Sequence, residues 1–415
     1  MIAALLLLLP QAAVPAAPPP EALREQDLRA HIGFLASDEL EGRESGERGG
    51  RLAALYCARW FERLGLEPVG PEGFLLPFRN RRTGGRTFYN AGGLLPGTDP
   101  ALADEILVIG GHHDHAGIGG PGAMGFPGEI HNGADDNASG AAGVLELAEY
   151  FVAHPTRRPI LFLTFAGEES GLLGSQWFVE SGPVPRERIR AMLNLDMVGR
   201  SRNGYLFLGG LGTAREFHDL LDPVLEESRL RLELSDLGEA PSDNSSFYRA
   251  GIPSLFFFTH IHEDYHMPGD DPEKIDYAAE VRILDLVRRI AETLNNTPSP
   301  LTWKESPGMG MPADFQQRMM EHFQRIAERR QQQGRLGILQ TTEEGGLVRV
   351  GAVRPGGAAE AAGLQAGDRI LELDGRRVRS LDDLRRALGG HLKGDTVPVT
   401  VEREGQRLEL QVTLR

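Results

Sequence analysis

The sequence predicts an α/β fold: a mostly parallel mixed sheet covered by helices, followed by a smaller β-rich unit. Three observations predict it. Short apolar runs bounded by glycine or proline recur between residues 21 and 297, as strands buried on both faces require. Helical stretches lie between those runs, and strand, helix, strand in repetition implies parallel pairing. After a stretch rich in Pro, Gly and Met, the pattern changes to alternating strands within residues 335–415.

The elements follow in order. Residues 1–20 stand apart: 2–9 are wholly apolar and a Pro/Ala stretch follows. This is the pattern of a secretory signal peptide, although no Lys or Arg precedes the apolar core. The run is too short for an ordinary membrane helix. The expectation is an exported protein, periplasmic or secreted, with no stable membrane span. Within residues 21–297, Leu28, Ile32 and Leu35 share a helical face, and residues 51–64 read as an amphipathic helix ended by Gly65. Residues 106–109, 160–165, 192–195 and 252–258 read as strands, with helices at 141–151 and 214–227. Residues 298–334 form a linker, rich in Pro, Gly and Met up to 312 and then charged and helical in character up to Gly334. That helix either packs on the first unit or stands as a solvated spacer. Residues 335–415 make the second unit, with a helix near 381–388 and closing strands at 397–401 and 408–414.

Composition limits the function classes. A chain of 415 residues suits two or three domains. A hydrophobic content of 40% with 25% charged residues is that of a soluble globular protein. The net charge of −15 argues against nucleic acid, because phosphate binding needs a basic face. Cys57 is the single cysteine, so no intramolecular disulfide forms, and its place on an apolar helical face predicts a buried thiol.

Five short motifs carry the chemistry: Gly-Gly-His112-His113-Asp114, Gly-Ala-Asp135-Asp136-Asn137, Gly-Glu168-Glu169-Ser170, Asn194-Leu195-Asp196 and Asp264-Tyr265-His266. Each follows an apolar run or opens a helix, and ligands of open parallel sheets bind beyond the carboxyl ends of the strands. Taken singly the motifs are weak. Asp135-Asp136-Asn137 also suits a helix N-cap, and Glu168-Glu169 suits a solvated turn. Taken jointly they deliver imidazoles and carboxylates to one sheet edge. That donor set suits zinc, with cobalt or manganese as substitutes. Two metals side by side need a bridging carboxylate, which either Asp135 or Asp136 can supply.

From about residue 28 to residue 290 the chain resembles the co-catalytic zinc aminopeptidases, relatives of glutamate carboxypeptidase II, glutaminyl cyclase and the transferrin receptor. The motifs above carry the resemblance, together with Leu35-Ala36-Ser37-Asp38-Glu39-Leu40-Glu41-Gly42-Arg43. It implies a phosphorylase/hydrolase-like three-layer α/β/α sandwich and two Zn2+ ions. It also implies roles: His112 and Asp196 on one metal, Glu169 and His266 on the other, and Asp135 as bridge with a cis Asp135–Asp136 peptide. Glu168 is then the general base, Asp114 orients His112, and Tyr265 stabilises the oxyanion. The implied substrate is a peptide or protein with a free N-terminus. Two positions depart from the family pattern: His113 stands where an aromatic is usual and Asn244 where a histidine is frequent.

Residues 335–415 resemble a PDZ domain of the bacterial protease type. Arg335-Leu336-Gly337-Ile338 matches the carboxylate-binding loop and Gly367-Asp368-Arg369-Ile370-Leu371 the core turn. The resemblance implies capture of a peptide C-terminus by strand addition, with Leu336, Gly337 and Ile338 at the loop; packing or dimerisation without a peptide is the alternative. For the whole chain the alternatives are a glutaminyl cyclase or carboxypeptidase on the same fold, or a non-catalytic receptor or scaffold.

Overall fold

The computed structural model describes residues 22–79, 81–119, 123, 128–344 and 347–415. The signal-peptide expectation at 1–20 lies outside the described residues.

The first sheet contains β1 (Glu67–Pro68), β2 (Leu75–Phe78), β3 (Phe88–Leu95), β4 (Ile106–His112), β5 (Ile160–Phe165), β6 (Ile189–Leu195), β7 (Tyr205–Gly209), β8 (Arg231–Leu234) and β9 (Ser254–Phe258). Its order is β1-β3-β5-β4-β6-β9-β7-β8, with β2 beside β3. The centre is parallel: β4 pairs in that sense with β5 and β6, and β6 with β9. The antiparallel β1, β2 and β3 close one side, and β7 turns against β9 on the other. The mixed sheet is therefore as expected, with edge strands that the apolar runs did not announce.

Helices α1 (Glu25–Leu35), α2 (Arg48–Arg63), α3 (Gly140–Ala153), α4 (Leu173–Ser181), α5 (Phe217–Glu226), α6 (Asn244–Arg249) and α7 (Tyr277–Asn296) cover both faces. Side chains alternate across a strand, and the core shows it. Leu107, Ile109, Phe162 and Leu193 pack with the apolar faces of α1, α2, α3, α5 and α7. Ile106, Val108, Leu161, Leu163 and Met192 pack with Phe178 of α4 and Phe247 of α6. Each fully buried leucine here contributes about 1.5–3 kcal/mol. Cys57 is fully buried, and burial pushes its thiol up to about 12.

The helix α8 (Phe315–Gln332) is no solvated spacer. Phe315 meets the rings of Phe258 and His260, and His260 Nε2 lies 2.7 Å from Asp314 Oδ1. Further along, His322 lies edge-on to Tyr265, and Ile326 packs on Met267. Beyond it, β10 (Ile338–Glu344), β11 (Leu347–Val353), β12 (Arg369–Leu373), β13 (Arg376–Arg377), β14 (Thr396–Arg403) and β15 (Gln406–Thr413) form a second, antiparallel sheet with its own core. The short α9 (Ala358–Ala361) and α10 (Leu381–Gly389) accompany it. Ser380 and Asp383 cap α10 reciprocally, satisfying two of its free amides.

Candidate metal centre

The parallel strands β5, β4, β6 and β9 end on one edge of the sheet, so the residues just beyond them meet. His112 closes β4, Asp196 follows β6, Glu168 and Glu169 follow β5 after a turn at Gly167 (φ 74°), and His266 stands in the loop after β9. The strand ends converge because two glycines allow it. A Cβ at Gly111 would sit 2.5 Å from the Leu195 carbonyl oxygen, and one at Gly140 would sit 2.4 Å from the same atom. Asn137 fixes the junction: its Nδ2 donates to Leu195 O, while its Oδ1 accepts from Gly140 N and Met197 N.

The donors fall into two groups, His112 with Glu168 and Asp196, and His115 with Asp136 and Glu169. His112 Nε2 lies 3.5 Å from Asp196 Oδ1, 3.5 Å from Asp136 Oδ1 and 3.9 Å from Glu168 Oε2. His266 Nε2 lies 3.0 Å from Asp136 Oδ2 and 3.6 Å from Glu169 Oε2. Asp136 thus turns one oxygen to each group.

Two expectations are corrected here. The carboxylate between the groups is Asp136, not Asp135, and the cis peptide is Asp136–Asn137, not Asp135–Asp136. The reason is the hydrogen bonding of the turn before α3. Asp135 Oδ1 accepts from Gly199 N at 2.7 Å and Ser139 Oγ at 3.1 Å, and its Oδ2 faces His262 Nε2 at 3.3 Å. Asp135 is committed behind the centre, which leaves its neighbour to face the strand ends.

His115 was missed. Its Nδ1 lies 2.7 Å from Glu169 Oε1, and the run His112-His113-Asp114-His115 was the available signal. His113 points elsewhere, with Nδ1 on Thr164 Oγ1, and burial holds it neutral with a pKa lowered to about 4. Asn244 Nδ2 donates to Gly238 O, away from these donors.

Other residues hold the donors in place. Asp114 Oδ1 lies 3.6 Å from His112 Nδ1, and its carboxylate accepts from Ser45 Oγ, Gly167 N and Glu168 N. One side chain therefore ties the β4 exit to the β5 exit. Arg43, fully buried, donates to the carbonyls of Leu35, His113, Asn132 and Gly133. This locks the amino-terminal signature onto the two donor-bearing turns. Asp270 Oδ2 accepts from both Asp135 N and Asp136 N; sequence reasoning did not single it out. Burial raises the Glu168 carboxyl well above its ordinary range, with nearby Glu169 and Asp196 adding to the shift against the pull of His112. Burial, then Asp136 and Glu169, raise the Tyr265 hydroxyl, whose ring lies on that of His266.

The donor set fits zinc. Asp136, Glu168, Glu169 and Asp196 crowd together where solvent hardly reaches, and such carboxylates are costly without cations. In the second unit, Leu336, Gly337 (φ 78°) and Ile338 line a groove of about 820 Å3, opposite Leu381, Leu384 and Leu388 of α10.

Known proteins share parts of the sequence and the fold. Residues 90–291 match the sequence model of peptidase family M28, and residues 334–414 that of the PDZ domain. Leucine aminopeptidase 1 of Ajellomyces dermatitidis is 31% identical over 199 residues, covering 43% of this chain and 50% of that protein. The chain thus spans about half the length of the curated relatives it matches. Among solved structures, a zinc aminopeptidase of Bacillus subtilis aligns with a TM-score of 0.54 at 18% identity, over 68% of this chain and 99% of that one. A glutaminyl cyclase of Tannerella forsythia aligns with a TM-score of 0.53 at 17% identity, over 65% and 99%. At such identities the structural likeness speaks for the fold. The donor-bearing residues 90–291 thus carry the pattern of peptidase family M28, and residues 334–414 that of the PDZ domain.

Proposed function

We propose that this chain is an exported zinc aminopeptidase that removes the first residue from peptides or proteins. The observation that carries the reading is Asp136, which presents one oxygen to each of two donor groups, with Glu168 beside them. His112, Asp196 and Asp136 would hold one zinc, and Glu169, His266 and Asp136 the other, with His115 orienting Glu169. When bound, a zinc pair supplies an acidified water and polarises the scissile carbonyl.

The chain's own residues do the rest. Glu168 takes the proton of the attacking water and passes it to the leaving amine. The Tyr265 hydroxyl donates toward the oxyanion. Asp114 keeps His112 and the Glu168 turn in register. Acidic side chains around the centre attract the free α-amino group of the substrate, which selects the first peptide bond. The PDZ loop at Leu336, Gly337 and Ile338 captures the C-terminus of a peptide through backbone amides.

The test compares the zinc-loaded protein with Glu168→Gln on a free-amino dipeptide amide. The wild type should hydrolyse it, and the variant should keep both zinc ions while losing turnover by roughly 10²–10⁴-fold. Full activity in the variant would overturn the base assignment, and a wild type that cyclises N-terminal glutamine with one zinc bound would favour the cyclase reading.

A further inference from the structure

A second group of carboxylates lies away from the centre, where α1 crosses α3. Asp27 and His31 are one turn apart on α1, and Glu146 and Glu149 are one turn apart on α3. Residues at these spacings share a helix face, so the two faces meet with acidic side chains inward. Asp27, Glu146 and Glu149 each offer an oxygen within 4.8 Å of the others'. Glu146 is 1% exposed and Glu149 5%.

The polar contacts of the group are incomplete. Glu146 Oε1 accepts from Arg24 N at 2.6 Å, Asp27 Oδ2 from Arg24 Nε at 2.5 Å, and Glu149 Oε1 from Trp60 Nε1 at 2.7 Å. Glu146 Oε2 has no partner. A second, independent group points the same way. His31 is 1% exposed, with Nδ1 on the Tyr56 hydroxyl and Nε2 unpartnered, 4.0 Å from Glu149 Oε1. Arg24 pairs with Asp27 from a side chain that is largely exposed, and Arg63 adds positive charge near Glu149. Buried carboxylates left in this state need either a proton or a cation.

We propose that Asp27, Glu146 and Glu149 form a further cation site, taking a hard, oxygen-seeking divalent ion of the calcium type, which clamps α1 to α3. Carboxylate oxygens are what such an ion prefers, and the group draws no residue from the zinc centre. Burial pushes Glu146 up to about 8, with Glu149 and Asp27 adding to the effect. A bound ion would supply the positive charge in place of that proton. The consequence is a fold whose first helix is held by the ion as well as by its apolar face.

Trp60 provides the readout, because its indole nitrogen touches Glu149 and can sensitise the luminescence of a bound lanthanide. The experiment uses the zinc-loaded full chain and the metals alone. Terbium should emit on tryptophan excitation and be displaced by calcium, and calcium should raise the Tm by several degrees, as binding to the folded state alone requires. Asp27→Asn and Glu146→Gln should each lose both effects with zinc content unchanged. Asp27→Asn serves if Glu146→Gln does not fold, since Asp27 is only half-buried. Trp60→Phe should lose the emission and keep the calcium stabilisation. A wild type whose Tm ignores calcium would overturn the site and leave a shared proton in its place, and so would a calcium shift of equal size in Asp27→Asn.

Discussion

Replacing Asp136 and Asp135 one at a time by asparagine separates the residue that joins the two donor groups from the one that supports it. Asp136 has Oδ1 3.5 Å from His112 Nε2 and Oδ2 3.0 Å from His266 Nε2. The amide keeps one oxygen but loses the charge and the second donor, so both zinc positions are damaged together. Loss of a group that merely orients a ligand costs about 10–100-fold in metal affinity, and Asp136→Asn should exceed that at both positions. Asp135→Asn leaves Oδ1 on Gly199 N and Ser139 Oγ and disturbs only the contact with His262. It should therefore stay within that 10–100-fold range and cost about 1–3 kcal/mol of stability. The assay is competition for zinc against a chelating dye, with melting measured in parallel. A larger loss of zinc in Asp135→Asn than in Asp136→Asn would refute the reasoning and return the bridge to Asp135.

Two other expectations follow from the buried polar groups. Arg43→Ala leaves the carbonyls of Leu35, His113, Asn132 and Gly133 without their donor; it should cost about 3 kcal/mol or more and lower zinc affinity, read by denaturant melts and dye competition, and a stability loss below about 1 kcal/mol would contradict it. One part of the pH dependence comes from His31, His113, His131 and His322, all lowered to about 4 mainly by burial, and it is opposed by Glu146, which burial pushes up to about 8. The folded pKa of the histidines lies below the unfolded value, so at these groups the unfolded chain takes up protons first, and their part of the stability is lost as pH falls from about 6.5 toward 4. Melting of the chelator-treated protein between about pH 6.5 and 4 should show His31→Gln losing less stability, or gaining more, than the wild type; an equal change in that variant would remove His31 from the cause.

Much of the fold was legible because it rests on local pattern. The runs at 106–109, 160–165, 192–195 and 252–258 are mainly apolar since both their faces are covered, and the donors follow at their ends. The short antiparallel β1 and β2 and the partly exposed β8 lack that signal, because edge strands need only one apolar face. The choice between Asp135 and Asp136 depended on hydrogen bonds from Gly199 and Ser139 that only the folded turn creates. His115 and Asp270 were hidden for the same reason: each acts through a partner far along the chain, Glu169 and the Asp135–Asp136 amides. The packing of α8 was undecided in the sequence because its buried contacts are few, chiefly His322 and Ile326, on a mainly polar helix. The glycines at 111 and 140 were visible as residues but not as the clearances that let the strand ends approach.

The central claim is that this centre hydrolyses the first peptide bond of a chain with a free amino group. The most direct measurement supplies the purified zinc-loaded protein with a free-amino peptide and, separately, with its N-acetylated twin. The account requires stepwise release of single residues from the free peptide and none from the acetylated one. Cleavage of the acetylated peptide, or of neither, would contradict it.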